Sequence, residues 1–221
     1  MRKLLLHPAA KPVVFVLSLL PLAWLVYATA ANQLGANPAE ALIRATGDWT
    51  LRALCLVLAV TPVRVITSTP QLARFRRMLG LFVFFYAVLH LLSYAWFDMG
   101  FDLPDILRDI AKRPFILVGS LALLLLTLLA ATSFNRAIKA MGAKRWQALH
   151  RTVYAVAGLG ILHFFWMRAG KNNFGEVAVY AAILAALLGW RLWHRLRKDR
   201  VAAHRGGAAS RPASPAARAK S

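Results

Sequence analysis

Three histidines in apolar surroundings are the residues of this chain best suited to chemistry. His90 lies within FFYAVLHLLSYAW, His163 within VAGLGILHFFWM, and His150 within RWQALHRTVY. A titratable side chain inside a long apolar segment is costly to bury, so each is a candidate functional group. The remaining histidines lie near segment ends, where solvated roles are expected: His7, His194 and His204.

The two histidines that lie deepest in their segments are predicted to reach nearly the same level. His90 is eleven residues past Leu79, about 16 Å at 1.5 Å per residue. His163 is twelve residues past Arg151, about 18 Å by the same rise. Two imidazoles from separate helices at one depth are the arrangement that binds a haem iron from both sides. An interhelical hydrogen-bond role and proton or metal handling are the alternatives.

His150 is the third candidate haem ligand. It precedes His163 by thirteen residues, about 20 Å, so it would serve a second haem nearer the other membrane face. Thirteen residues before His90 stands Arg77 rather than another histidine, so a second haem lacks an evident second imidazole. On an ideal helix His150 and His163 also point about 140° apart, so a shared face would need a bulge or bend, for which Gly158 and Gly160 are candidate positions.

Arginines cluster at the same level as His150. A guanidinium can donate two parallel hydrogen bonds to one carboxylate. These side chains are therefore candidates for binding a haem propionate, a flavin or a quinone. The candidates are Arg74, Arg76, Arg77 and Arg145.

Composition indicates an integral membrane protein. The 221 residues are 59% hydrophobic, with 28 Lys+Arg against 8 Asp+Glu. A soluble domain is typically about 45–50% apolar. The basic residues lie between apolar runs and in the tail, which is typical of cytoplasmic membrane loops rather than of a nucleic-acid-binding surface. The single cysteine, Cys55, excludes a disulfide framework and a Cys-ligated iron–sulfur cluster.

Six apolar segments are long enough, or nearly so, to cross a bilayer, which takes about 20 residues. They are Val13–Ala31, Leu51–Ile66, Leu79–Phe97, Phe115–Thr132, Val153–Met167 and Val177–Trp193. The first resembles a secretory signal but is longer than a usual signal core, so we expect it to be retained. We therefore predict an all-α integral membrane protein with a six-transmembrane-helix bundle.

Charge asymmetry predicts that both termini are cytoplasmic. In that orientation 21 of the 28 basic residues lie inside and 7 of the 8 acidic residues lie outside. The predicted division is a cytoplasmic N-terminus over 1–12, a haem-binding membrane domain over 13–194, and a basic, disordered cytoplasmic tail over 195–221.

Five stretches of the chain carry a family resemblance. They read LGANPAEALIRATGDW, LAVTPVR, RRMLGLFVFFYAVLHLLSY, DIAKRPFILVG and AKRWQALHRTVYAVAGLGILHF. In this order they resemble the haem-binding membrane subunits of periplasmic protein-methionine-sulfoxide reductase systems, across roughly residues 13–193. These subunits are related to ferric reductases and NADPH oxidases, and His90, His150 and His163 match the histidines of the family.

The resemblance implies a bacterial inner-membrane subunit that carries haem b, in one or two copies. It also implies FMN as an additional cofactor and a quinone as a further one. Electrons would enter from a cytoplasmic flavin reductase or from quinol. They would leave to a periplasmic molybdopterin enzyme that reduces methionine sulfoxide in oxidised proteins. No GxGxxG or P-loop motif is present, so we expect an electron-transfer subunit rather than a self-sufficient enzyme.

Two further expectations concern partners. The acidic loop with Asp98, Asp102, Asp105 and Asp109 is a candidate docking surface for the periplasmic enzyme. The alternatives to an electron-transfer subunit are a stand-alone transmembrane ferric or quinone reductase of the same fold, and a non-haem transporter or scaffold.

Overall fold

The computed structural model describes residues 2–170 and 172–209, which are almost entirely helical. A 3₁₀ helix, Pro70–Phe75, precedes α4. The α-helices are α1 (Arg2–Leu6), α2 (Ala10–Ala30), α3 (Pro38–Ile66), α4 (Arg76–Phe97), α5 (Leu103–Lys112), α6 (Pro114–Ala131), α7 (Asn135–Met141), α8 (Ala143–His150), α9 (Val153–Ala169) and α10 (Gly175–Ala209).

The prediction of six membrane-spanning helices is confirmed. Within the described ranges, six helical segments are long and apolar enough to cross a bilayer, centred on α2, α3, α4, α6, α9 and α10. Many of their large apolar side chains are exposed, as expected for helices that face lipid. We call the end of the bundle with the connections 31–37, 98–102 and 170–174 the acidic end, and the opposite end the basic end.

The bundle is organised around two closely packed helix pairs. The most extensive interhelical packing joins α3 to α4 and α6 to α9, while α10 packs on α3 and α9. Leu54, Leu58, Val83, Val156 and Ala157 are almost fully buried where these helices meet. Helix α2 lies at the periphery, and the Tyr86 hydroxyl on α4 donates to its Ser18 carbonyl at 2.7 Å. Any site between the two pairs is therefore built from four different helices.

Helix α3 is longer than predicted. The expected span began at Leu51, but the helix begins at Pro38, where the Asn37 side chain accepts a hydrogen bond from the Glu40 amide. Residues 38–50, which include the charged Glu40, Arg44 and Asp48, lie outside the predicted span. The charges recur every four residues and lie along one helix face, as the Glu40–Arg44 ion pair shows.

The acidic loop contains a helix that the sequence did not predict. Helix α5 is capped by the Asp102 side chain, which accepts from the Asp105 amide. Asp109 accepts from the Tyr94 hydroxyl at 2.6 Å and pairs with Arg113 at 2.8 Å, and its side chain is only 11% exposed. Asp109 therefore attaches α5 to the bundle and is not available for docking, whereas the side chains of Asp98, Asp102 and Asp105 are exposed.

The C-terminal helix also differs from prediction. A disordered tail was expected from residue 195, but α10 continues to Ala209. The sequence there is rich in Arg, Lys, Leu and Ala, which are strong helix formers, and no proline occurs before Pro212. The rest of the predicted tail, 210–221, lies outside the described residues.

Candidate functional site

His90 and His163 face each other between the two helix pairs. His90 extends from α4 and His163 from α9, and their ring centroids are 6.1 Å apart with the ring planes at 80°. The prediction from helical rise, that these two histidines lie at one depth, agrees with this placement. The site thus has two imidazoles from separate helices directed at a shared space.

Each ring is fixed by a backbone carbonyl of the neighbouring helix. Nδ1 of His90 lies 2.8 Å from the Ile43 carbonyl oxygen on α3. Nδ1 of His163 lies 2.6 Å from the Phe115 carbonyl oxygen on α6. A carbonyl oxygen only accepts, so Nδ1 carries the proton in both rings. In a neutral imidazole the other nitrogen, Nε2, is then the unprotonated one, and no described residue forms a hydrogen bond with either Nε2.

A glycine one helical turn after each carbonyl makes room for the ring. A Cβ at Gly47 would lie 3.1 Å from the His90 ring, and a Cβ at Gly119 would lie 2.8 Å from the His163 ring. Ile43 and Gly47 on α3 thus repeat the i, i+4 arrangement of Phe115 and Gly119 on α6. Any larger side chain would push the imidazole away from the carbonyl that orients it.

The two imidazoles line a cavity of about 560 Å³ inside the bundle. Its middle is apolar, with Leu51, Leu54, Val83, Ala87 and Leu126 among the lining residues. Ligand sites in proteins typically measure about 300–1,000 Å³ and are mostly apolar with a few polar groups.

The mouth of this cavity, at the acidic end, is charged. The charged lining residues are Glu40, Arg44, Asp48, Asp98, Arg113 and Arg168. Desolvation raises the pKa of the Asp98 carboxyl above its ordinary value, although nearby Arg113 acts in the opposite direction. The cavity therefore has an apolar interior and an ionic rim.

His150 lies in a separate cavity. It lines a space of about 290 Å³ toward the basic end, together with Arg76, Arg77 and Trp146. Trp146 stacks on the His150 ring with centroids 4.0 Å apart. The Thr132 hydroxyl donates its only proton to the Leu128 carbonyl at 2.7 Å. In its contact with Nε2 of His150 at 3.1 Å, the hydroxyl oxygen is therefore the acceptor. His150 is thus not brought together with His90 and His163.

His150 and His163 lie on consecutive helices. Helix α8 ends at His150 and α9 begins at Val153, and the Thr152 hydroxyl donates to the Leu149 carbonyl at 2.8 Å. Helix α9 is continuous through Gly158 and Gly160, the candidate positions for a bend. Because the two histidines line separate cavities, they need not share one helix face.

The predicted arginine cluster separates into two groups. Arg76 and Arg77 line the cavity that contains His150, and Arg77 donates to Asn135 Oδ1 at 2.7 Å. Arg74 instead donates to the Leu5 carbonyl at 2.7 Å, and Arg145 is exposed and does not line this cavity. Only the first two are therefore placed to contact a group bound beside His150.

The sequence did not reveal the residues that hold the histidines. Ile43 and Phe115 act through their backbone carbonyls, and Gly47 and Gly119 act by lacking a side chain. None of these residues has a reactive or metal-binding side chain that would identify it in the sequence. Arg168 was also overlooked, although a charged residue five positions after His163 is unusual in so apolar a segment.

Comparison with known proteins identifies the family of the chain. The family described as ferric reductase like transmembrane component matches residues 46–161, over half of the chain. This match shows that the chain is a ferric-reductase-like transmembrane component. A protein-methionine-sulfoxide reductase heme-binding subunit MsrQ of Polaromonas naphthalenivorans is 75% identical over 199 residues, covering 90% of this chain and 91% of the relative.

Two further relatives carry the same name. The protein of Ralstonia nicotianae is 50% identical over 200 residues, or 90% of this chain and 92% of the relative. The protein of Herminiimonas arsenicoxydans is 49% identical over 196 residues, which cover 87% of this chain and 90% of the relative. The chain belongs to this family of protein-methionine-sulfoxide reductase heme-binding subunits. No solved structure matches it.

The glycine beside His163 gives a direct test of the packing. In Gly119→Ala the new methyl group would lie 2.8 Å from the imidazole, so the ring or the helix must shift. Overpacking of this kind costs about 1–3 kcal/mol. We expect a lower thermal unfolding midpoint in detergent.

The matched control for this substitution is Gly158→Ala on α9, where an added Cβ meets no atom within 4 Å and which does not line the cavity. Its midpoint should equal or exceed that of the wild type, because alanine is the better helix former. Equal midpoints for the two variants would contradict the tight fit at Gly119.

Proposed function

We propose that the chain is a haem b electron-transfer subunit and that His90 and His163 are the two axial ligands of one haem. The observation that carries the proposal is the pair of imidazoles, 6.1 Å apart across a cavity of about 560 Å³. The names of the relatives, heme-binding subunits, support the same cofactor.

The spacing of the rings fits two ligands of one metal ion. An imidazole–metal bond of about 2.0–2.1 Å, with a ring radius of about 1.1 Å, gives centroids about 6.3 Å apart on opposite sides of the metal. The observed 6.1 Å is close to this value. A single histidine used for packing would not need a second imidazole at this distance.

The chain supplies ligands that are already oriented. The Ile43 and Phe115 carbonyls accept the Nδ1 protons, which fixes the tautomer with Nε2 as the metal-binding atom and raises its basicity. The apolar cavity keeps water away from the ligands and favours neutral imidazoles. Haem, when bound, supplies one-electron transfer.

We place the entry of electrons at the basic end. The cavity with His150, Arg76 and Arg77 offers one imidazole and two guanidiniums, a donor set suited to an anionic or carbonyl-bearing cofactor such as FMN or a quinone. A second haem at this position would need a ligand other than histidine opposite His150. The two cavities share Leu54, Val83 and Leu126 in their linings, so they are consecutive along the bundle axis.

The proposed direction is outward across the bacterial inner membrane. With both termini cytoplasmic, the basic end would receive electrons from a flavin reductase or quinol. The acidic end would deliver them to a periplasmic molybdopterin enzyme that reduces methionine sulfoxide in oxidised proteins. The chain would then transfer electrons and leave the catalysis to its partner enzyme.

The ligand assignment predicts the effect of removing either imidazole. His90→Ala or His163→Ala should lower the haem-to-protein ratio by more than about tenfold, because even removal of a group supporting a metal ligand costs 10–100-fold in affinity. The measurement is the Soret absorbance of purified protein relative to protein concentration.

A histidine outside both cavities provides the control. His194 stacks on Trp190 in α10 with centroids 4.9 Å apart, and His194→Ala should retain the wild-type haem content. The assignment is wrong if His90→Ala and His163→Ala keep an unchanged spectrum as well.

The exposed acids of the 98–113 segment predict a salt-dependent partner interaction. Neutralising Asp98, Asp102 and Asp105 to Asn keeps a capping side chain on α5 but removes three negative charges. Electron delivery to the periplasmic enzyme should slow several-fold at low ionic strength and lose much of its salt dependence.

Asp199→Asn on α10, at the basic end, is the matched control for this charge removal. It should leave delivery unchanged. If the triple variant delivers electrons at the wild-type rate at every salt concentration, these acids do not form the docking surface.

A further inference from the structure

Arg168 is a buried cation that neither the histidine pair nor the docking loop explains. Among residues whose side chains are described, it is the one charged residue in the buried core, and its side chain is about one-tenth exposed. It extends from α9 into the lining of the cavity that contains His90 and His163. A charged group there is costly unless it has a specific partner.

The guanidinium of Arg168 is only partly satisfied. One terminal nitrogen donates to Glu176 at 2.6 Å, but the Glu176 side chain is 56% exposed. The Nε atom is buried and has no hydrogen-bond partner within the described part of the chain. The Phe164 ring lies 5.4 Å from the guanidinium and restrains its position. Buried donors nearly always have partners, so Nε indicates a missing acceptor.

The other two arginines of the cavity mouth are in a different situation. Arg44 pairs with Glu40 and Arg113 with Asp109. Their side chains are 33% and 53% exposed, so solvent satisfies their remaining donors. Only Arg168 combines burial, an unpaired donor and a place on the cavity wall.

We propose that Arg168 binds a carboxylate of the haem, one of its two propionates, through Nε and a terminal nitrogen. The proposal rests on the proposed function, because it takes the haem to be held by His90 and His163. Arg168 follows His163 by five residues, about 7.5 Å along α9 toward the acidic end, and the two residues line the same cavity.

Charge at the cavity mouth favours this partner. Three acids line the region, Glu40, Asp48 and Asp98, while the other two arginines there already pair with Glu40 and Asp109. A guanidinium that presents two parallel N–H groups pairs with a carboxylate and fixes the orientation of the ligand. Arg168 is thus a positioning residue for haem rather than a ligand of its iron.

Protohaem and its dimethyl ester separate this role from a structural one. The ester is identical at the iron but carries no propionate charge. Full-length wild type, Arg168→Gln and Arg168→Lys are produced without haem, loaded with each pigment in detergent, and followed for transfer of the pigment to apomyoglobin.

We expect Arg168→Gln to lose protohaem at least about tenfold faster than wild type, since a hydrogen bond to a charged group is lost. The ester should leave both proteins at the same rate, and Arg168→Lys should hold protohaem at an intermediate rate. Arg108→Gln, which removes an exposed arginine paired with Asp105, should behave as wild type with both pigments.

Equal acceleration for protohaem and ester in Arg168→Gln would overturn the inference, because it indicates a general packing defect. An unchanged rate for protohaem would overturn it too. If instead wild type takes up neither pigment, or His163→Ala holds protohaem as well as wild type, the proposed function fails whatever Arg168 does.

Discussion

The site depends on the hydrogen bonds from two imidazole Nδ1 atoms to backbone carbonyls. Inside a lipid bilayer no water is available to satisfy a polar ring, so each histidine must find its partner within the bundle. The Ile43 and Phe115 carbonyls meet this need at 2.8 and 2.6 Å. A carbonyl oxygen has two lone pairs, so a carbonyl within a helix can also accept from an imidazole of a neighbouring helix. The glycines at 47 and 119 let the rings approach.

This constraint explains why the bundle is arranged in two pairs. Each pair contains one histidine and the helix that holds it: α4 with α3, and α9 with α6. The orientation of each ring is decided inside its own pair, while the distance between the rings is decided by how the pairs pack together. Core residues such as Leu54, Val83 and Val156 lie at that junction and are almost fully buried. The spacing of the imidazoles is therefore a property of the whole core.

The sequence predicted the parts of this architecture that follow from hydropathy and helical rise. Six apolar segments were enough for the bundle, and residue counts placed His90 and His163 at one depth. The first turns of α3 were missed because Glu40, Arg44 and Asp48 look like loop residues unless their four-residue spacing is considered. The capping signal Asn37-Pro38 was a second available indication.

Other parts of the site depend on contacts between helices that no spacing along the chain reveals. Gly119 leaves room for the His163 ring that lies against it, and the sequence around Gly119 does not indicate this contact. Arg74 and Arg77 are three residues apart, yet one bonds a carbonyl near the N-terminus and the other lines a cavity, because they occupy different elements.

Electron paramagnetic resonance of the ferric protein tests the central claim most directly. Two axial imidazoles make haem iron low-spin, and ring planes near 80° apart produce a strongly anisotropic signal with a single dominant low-field feature. We expect that signal in the wild type, and its replacement by a high-spin signal in whatever haem remains in His163→Ala. A high-spin signal in the wild type, or the same low-spin signal after His163 is removed, would contradict the pairing of His90 with His163 on one iron.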